Sequence, residues 1–389
     1  MTALEGKRFS KTSCRSQDAE HCMGKGPVRC AADSIDAGPP KPRAPTQPIS
    51  AKSRQIPRRK NEHISICLKK DVCFRKTNGF ERYDFNHKAL PEVNLADIDI
   101  STTFLSKHLS LPFFIEALCG GSSKSIQINR NLARAAAELN IAMGVGSQRA
   151  MLKNPELTNT YQIRELAPAI LLFGNIGATQ LSELNTETII NMVQTIGADG
   201  LVIHLNAAQE MCQPEGDTDW RNVYFNIQRV CAQSPFPIIV KESGCGIDAE
   251  TARNLASAGV ACIDVAGAGG TSFTKVEAYR DKQNSQTFDE WGIPTAESLK
   301  RCRQSVDLPL IASGGMRTGI ECAKAIAMGA SLVGFALPLL QAAIRSHCDV
   351  VSYLLQIAND LKKTMLLVGA KDIAALKQVA LLQLSSYAI

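Results

Sequence analysis

Between residues 111 and 337 the chain alternates eight short apolar runs with helical stretches, and no other feature limits its fold so strongly. The runs are LPFFIEAL (111–118), IAMGVG (141–146), ILLFGNIG (170–177), GLVIHLN (200–206), PIIVKES (237–243), CIDVAG (262–267), PLIASGG (309–315) and LVGFAL (332–337). A helix between consecutive strands implies parallel βαβ units rather than hairpins. Continuous apolar strands also imply cover on both faces. The helices carry their own punctuation: Asp248 can cap AETARNLASAG, Gly259 can end it in left-handed geometry, and ECAKAIAMGA ends the same way at Gly329. Eight such strands close most economically into a barrel, although periodicity alone also admits an open doubly wound sheet.

The polar residues decide between the two. They gather at the C-terminal ends of the runs: Gly120 and Gly121, Ser147 to Arg149, Asn175, His204 to Asn206, Lys241 and Glu242, Gly267 to Thr271, and Ser313 to Gly315. A barrel enzyme builds its active site there, from the loops that follow the strands. Turn preference explains the glycines but not Lys241, Gln148, Arg149, Gln209 or Glu210. The expected fold is therefore α/β, a (β/α)8 TIM barrel with C-terminal helices, formed by residues 56–389 as one catalytic domain.

Residues 1–55 read differently. They hold ten Lys or Arg against five Asp or Glu and a cluster of prolines without apolar periodicity, so they are expected to be a disordered basic extension. An Arg-rich start also fits a transit peptide, but Asp18, Glu20, Asp33 and Asp36 count against it. Of the formal charge of +6, the extension holds +5 and the remainder +1, which disfavours a nucleic-acid surface. No apolar run reaches membrane-spanning length and no secretory signal is evident, so a cytoplasmic protein away from the membrane is expected. The thirteen cysteines are scattered without CxxC spacing, as suits reduced thiols.

Three groups of residues suggest chemistry. ASGGMRTG after the seventh run and GFALP after the eighth match the phosphate site of many barrels, in which glycine N–H groups and helix N-termini wrap the anion. Lys241 ends an apolar strand and points into the barrel mouth if the register is right, which implies an anionic partner. HLNAAQE places Glu210 beside His204, Asn206 and Gln209; one carboxylate among neutral hydrogen-bonding groups suits Mg²⁺. The basic stretch RRKNEH (58–63) and Arg149 add the cationic donors that a diphosphate needs.

The ordered series RRKNEH, CGGS, GSQR, FGNIG, HLNAAQE, KESGCGI, AGAGGTSF, WGIPT, ASGGMRTG and GFALP closely resembles the type 2, FMN-dependent isopentenyl diphosphate isomerases over about residues 56–380. The C-terminal KKTMLLVGAKDIAALK resembles the segment that closes these enzymes. The resemblance implies reduced FMN, NADPH as its reductant, Mg²⁺, conversion of isopentenyl to dimethylallyl diphosphate, and a homo-oligomer, either tetramer or octamer. It implies that Arg59, Lys60, Ser147, Gln148, Arg149 and Gln209 bind the substrate. Gln209, His204 and Asn206 would serve catalysis and Glu210 the metal. FMN would contact Leu118, Cys119, Gly120, Ser147, Asn175, Lys241 and Thr271, with its phosphate at Gly314, Gly315, Ala336 and Leu337. Lys241 would then face the ring edge that carries negative charge when the flavin is reduced.

The chain departs from the family after the first strand. Leu118-Cys119 replaces a Met-Thr pair, and Glu116-Ala117 replaces a Thr-Gly pattern, which bears on flavin affinity and redox poise. Two rival readings remain at this point. An FMN-dependent 2-hydroxy-acid oxidase would need a late-barrel histidine base, whereas only His347 stands late in the chain. A flavin-binding redox sensor would use Cys119 but would have no need of Gln209, Glu210 and Arg149.

Overall fold

All eight apolar runs form strands: β1 (Phe113–Ile115), β2 (Ala142–Gly144), β3 (Leu172–Gly177), β4 (Gly200–His204), β5 (Ile238–Lys241), β6 (Cys262–Asp264), β7 (Leu310–Ala312) and β8 (Leu332–Phe335). Each pairs in parallel with its neighbours in sequence, and β8 returns to β1 through Val333↔Phe113 and Phe335↔Ile115. The result is a closed barrel, which removes the open-sheet alternative. The computed structural model describes residues 51–281 and 286–384, with side chains from residue 57. The extension expected at residues 1–55 lies outside the described residues as far as residue 50.

Strand alternation sorts the barrel into two cores. Phe114, Ala142, Phe173, Val202, Ile239, Cys262, Ile311 and Leu332, all buried, form the inner cluster together with Phe104 and Leu109. The latter two come from an antiparallel hairpin, Thr102–Phe104 with Lys107–Leu109. Residues of opposite parity, such as Phe113, Ile203, Val240 and Val333, join the outer cluster with the surrounding helices. The helix boundaries follow the expected signals. Asp248 accepts hydrogen bonds from the Glu250 and Thr251 N–H groups, and Gly259 and Gly329 take φ of +88° and +99°.

Helix α1 (Ala51–Lys69) was not foreseen as a helix, and its first turn falls on residues expected to belong to the extension. Its sequence hides it, because Pro57 lies inside and the first half is basic. Lys60, Ile64 and Cys67 fall on one face, at the i, i+4, i+7 spacing, and all three line the barrel mouth. The C-terminal segment, with α2 (His347–Leu367) as its longest helix, ends in a short strand, Leu381–Gln383. That strand pairs antiparallel with Tyr83–Phe85. No helix among the described residues is long and apolar enough to cross a membrane.

Candidate active site

Continuing the inward parity of each strand by two residues places a polar ring at the C-terminal mouth. Glu116, Asn175, His204, Lys241, Ser313 and Gly334 all line one cavity there. The register aligns His204 with Lys241, and Lys241 with Asp264. The Lys241 ammonium donates to the Glu242 carbonyl at 2.6 Å and stands 3.9 Å from Glu116. Glu242 faces the other way, with its carboxylate accepting from the Ser243 and Cys245 N–H groups. Lys241 thus points into the mouth, as its position predicts.

The eleven residues expected around FMN, Leu118, Cys119, Gly120, Ser147, Asn175, Lys241, Thr271, Gly314, Gly315, Ala336 and Leu337, all line this cavity. The glycine loop at its β8 side is tight. Gly314 and Gly315 take φ of +102° and +78°, and a Cβ on either would collide with the backbone of the Gly267–Gly269 loop. The anion donors are divided unequally between the two helices expected to supply them. The helix after β7, Gly319–Ala327, is closed by its own capping box, in which Glu321 takes the Arg317 and Thr318 N–H groups. The helix after β8, α3 in the cavity wall (Leu337–Arg345), has no side-chain cap, no acid in its first turn, and a proline that brings no N–H. Its open N-terminus and Arg317, which also lines the cavity, therefore suit a phosphate. These features fit FMN, and its site would be the space between α3, the glycine loop and Lys241.

The α1 side carries charge on side chains. Lys60 is half-buried, with its ammonium donating to the Ser147 carbonyl at 2.6 Å and the Tyr161 hydroxyl at 3.1 Å, and no ion-pair partner stands beside it among the described residues. Burial, then the neighbouring Arg59 guanidinium, push it down to about 7. Arg59 is lowered by burial too, opposed by Glu210, Glu215 and Glu277. A buried cation without a carboxylate is costly unless an anionic ligand arrives.

Gln209 reaches the cavity with both ends of its amide fixed, accepting from Asn206 at 3.2 Å and donating to Glu277 at 3.1 Å. Glu277 is fully buried; burial pushes it up, but His63, Arg280 and Gln209 outweigh this and hold it below the ordinary carboxylate value. His204 joins Asn175 through Nδ1 at 2.8 Å, and burial, then Lys241 and Lys60, push it down to about 3. It is a neutral imidazole at physiological pH.

Five expected site residues, Arg59 among them, stand back from the wall. Gln148 is fully buried, and its amide is spent on the Met192 carbonyl and the Asn175 N–H, so it is not placed to grip a substrate. Arg149 pairs with Asp217 at 2.8 Å. Asn206 bridges Gln209 and Glu210. Glu210 is buried and accepts from Asn206, Gln213 and the Asp217 N–H, which uses three of the roughly four lone-pair sites of a carboxylate. One site remains for a cation. No group of three or more acidic, His or Cys side chains suited to a metal occurs among the described residues, so a divalent ion would depend on substrate oxygens.

Sequence reasoning missed Glu277, Arg280, Tyr161 and Asp264. Glu277 and Arg280 stand three apart on a helix, a spacing that a solvated surface pair shares, so their sequence carries no signal of burial. Strand parity could have found Asp264, two residues beyond inward Cys262.

The FMN-dependent dehydrogenase family model matches residues 52–159 and 176–383. Relatives named isopentenyl-diphosphate delta-isomerase are similar over nearly their full length. The Thermococcus kodakarensis protein is 45% identical over 83% of this chain and 90% of its own. That of Synechococcus sp. is 45% identical over 86% and 99%, and that of Methanothermobacter thermautotrophicus 46% over 82% and 91%. Among solved structures, a Pediococcus acidilactici lactate oxidase superposes with a TM-score of 0.62 at 17% identity, over 86% of this chain and 93% of that one. A flavocytochrome b2 variant gives 0.61 at 16% identity over 84% of each. These two show the fold alone, whereas the full-length sequence relatives are far more similar. The chain belongs to the FMN-dependent dehydrogenase family and, within it, to the FMN-dependent isopentenyl-diphosphate delta-isomerases.

Proposed function

We propose that this chain converts isopentenyl diphosphate to dimethylallyl diphosphate, with reduced FMN in the barrel mouth and Mg²⁺ on the diphosphate. The observation that carries the reading is Lys60, a half-buried cation without a carboxylate partner among the described residues, in the same cavity as a second anion site at α3. One cavity thus offers places for two phosphorylated ligands. The name shared by the relatives supplies the substrate.

The reaction adds a proton to the terminal alkene carbon and removes one from the allylic position, with no net redox change. Reduced FMN, when bound, supplies an electron-rich, proton-carrying ring in the cavity. Lys60 and Arg59 hold the diphosphate, and Arg149 joins them by exchanging Asp217 for substrate oxygens. Glu210 offers its remaining lone pair to Mg²⁺. Gln209, fixed by Asn206 and Glu277, orients against the prenyl group, and Asn206 acts through Gln209 and Glu210 as a positioning residue. His204 stays neutral and hydrogen-bonds rather than titrates. Ile64, Cys67, Leu118 and Phe273 give the prenyl chain an apolar wall that excludes water. We assign the reductant to NADPH, the assembly to a tetramer or octamer, and the compartment to the cytoplasm, on the family resemblance and the reduced-thiol pattern of the sequence.

The cavity histidines are His63 and His204, and His347 lies outside it, which leaves the 2-hydroxy-acid oxidase reading without its late-strand base. Photoreduced, FMN-loaded protein should form product with no NADPH present, and the oxidised form should form none. Equal rates from both forms would refute the reduced-flavin role. Glu210→Gln should lose Mg²⁺-dependent activity while FMN affinity holds; equal losses would remove Glu210 from the metal.

A further inference from the structure

Beside Lys241 stand two carboxyl groups that the reaction above does not use, Glu116 in the cavity wall and Asp264 outside its lining. Glu116 is buried at 5% exposure and lines the cavity, and neither of its carboxyl oxygens makes a hydrogen bond of ordinary geometry, the Ala117 N–H being the donor nearby. Asp264, fully buried on β6, receives the Ser313 hydroxyl and the Ala266 N–H on Oδ1, whereas Oδ2 meets none. The two carboxyls are within hydrogen-bonding reach of each other. Three buried acceptor atoms therefore share a small space in which the nearest cation, Lys241, is 3.9 Å away and already donates elsewhere. Gly334 on β8 makes room for this arrangement, because a Cβ there would collide with Glu116 Oε1.

We infer that Glu116 and Asp264 share one proton, carried by Glu116, and that this pair is the counterion that sets how much of the Lys241 charge reaches a ligand in the cavity. A proton on Glu116 turns one orphan acceptor into a donor and satisfies Asp264 Oδ2 at the same time. Two ionised carboxylates in contact repel, so one proton is retained. Asp264 already has two donors on Oδ1, which favours its ionised form and leaves the proton on Glu116. Burial, and then Asp264, raise Glu116 well above the ordinary carboxylate range, with Lys241 opposing them.

The titratable groups facing Glu116 are Asp264 and Cys262 from β6 and Lys241 from β5, with His204 next to Lys241 on β4. β2, β7 and β8 present Gly144, Ser313 and Gly334. With Glu116 neutral, Lys241 and Asp264 cancel, and negative charge gained by a ring edge beside Lys241 meets no opposing net charge. When Glu116 ionises at higher pH, the trio becomes net negative and opposes that charge. Glu116 is a positioning residue: it acts on the cofactor through Lys241. The proton pair stands independently of the FMN reading, and its effect on the cofactor rests on that reading.

The test uses the full chain, first without cofactor. The infrared difference between wild type and Glu116→Gln should contain the C=O stretch of a protonated carboxylic acid at neutral pH, lost as pH is raised. Its absence would mean that Glu116 is ionised and would overturn the proposal. In FMN-loaded protein, the midpoint potential plotted against pH should bend toward more negative values where that band titrates, and Glu116→Gln should lack the bend. Parallel plots would overturn the effect on the cofactor. Should Glu116→Gln fold poorly, Glu116→Thr, which restores the family residue, should lose both the band and the bend. A wild-type band in protein that binds no FMN would support the shared proton and count against the isomerase reading.

Discussion

The two regions of the cavity proposed to hold anions are made of different materials. At the β8 side the donors are backbone N–H groups, an open helix end and glycines that admit no Cβ. At the α1 side they are the Lys60 ammonium and the Arg59 and Arg149 guanidinium groups, the two arginines being held near Glu210, Glu277 and Asp217. The backbone site cannot titrate or relocate, which suits a resident cofactor. The side-chain site is charged and conditional, which suits a substrate that must enter and leave. If that division is real, variants in each region should damage different ligands.

The largest effect should come from the backbone side. Gly314→Val adds a side chain at φ +102° against the Gly267 backbone. Strain and overlap together cost roughly 2–5 kcal/mol, so FMN affinity should fall on the order of 100-fold or more. Fluorescence titration of FMN checks this. Unchanged affinity would break the division at its cofactor end.

Lys60→Met should lower kcat/KM for isopentenyl diphosphate by roughly 10–150-fold, the loss of one charge-assisted contact, with FMN affinity unchanged. Lys60 also gives the comparison a pH axis. Its ordinary value of 10.5 is lowered to about 7, so the cation exists below that pH and is lost as pH rises through it. The free-enzyme profile of kcat/KM should therefore fall on the alkaline side near pH 7. Lys60→Arg, which keeps its charge, should remove that limb. A limb unchanged in the arginine variant would assign it to another group.

Glu277→Gln should reduce kcat by about tenfold, within the range of general positioning effects, because Gln209 loses its anchor. Its folded-state carboxyl is held low, so it contributes stability above the ordinary carboxylate range and loses it as pH falls through that range. Urea midpoints should fall more steeply on acidification for wild type than for Glu277→Gln. The smallest effect belongs outside both regions. Asp248→Ala removes a helix cap and should cost about 1 kcal/mol without altering either ligand's affinity.

The barrel is legible in the sequence because parallel strands covered on both faces become unbroken apolar runs, and every run matches an observed strand. The side proposed for FMN is legible for a related reason, since glycines and strand ends mark backbone sites directly. α1 escaped notice because Pro57 and the basic first half mask a face that only tertiary contact reveals. Gln148 misled because its position after β2 looks like the cavity wall, whereas its side chain turns into the protein. The Glu277 network is the least legible part. Charges three residues apart on a helix look the same in sequence whether water or a buried partner faces them.

The most direct test of the account is an anaerobic assay of the FMN-loaded chain with NADPH, Mg²⁺ and isopentenyl diphosphate, following dimethylallyl diphosphate by proton NMR. The account predicts many turnovers of product with NADPH consumed only to reduce the bound flavin. No product from reduced, flavin-loaded protein, or one NADPH oxidised for each product formed, would contradict it.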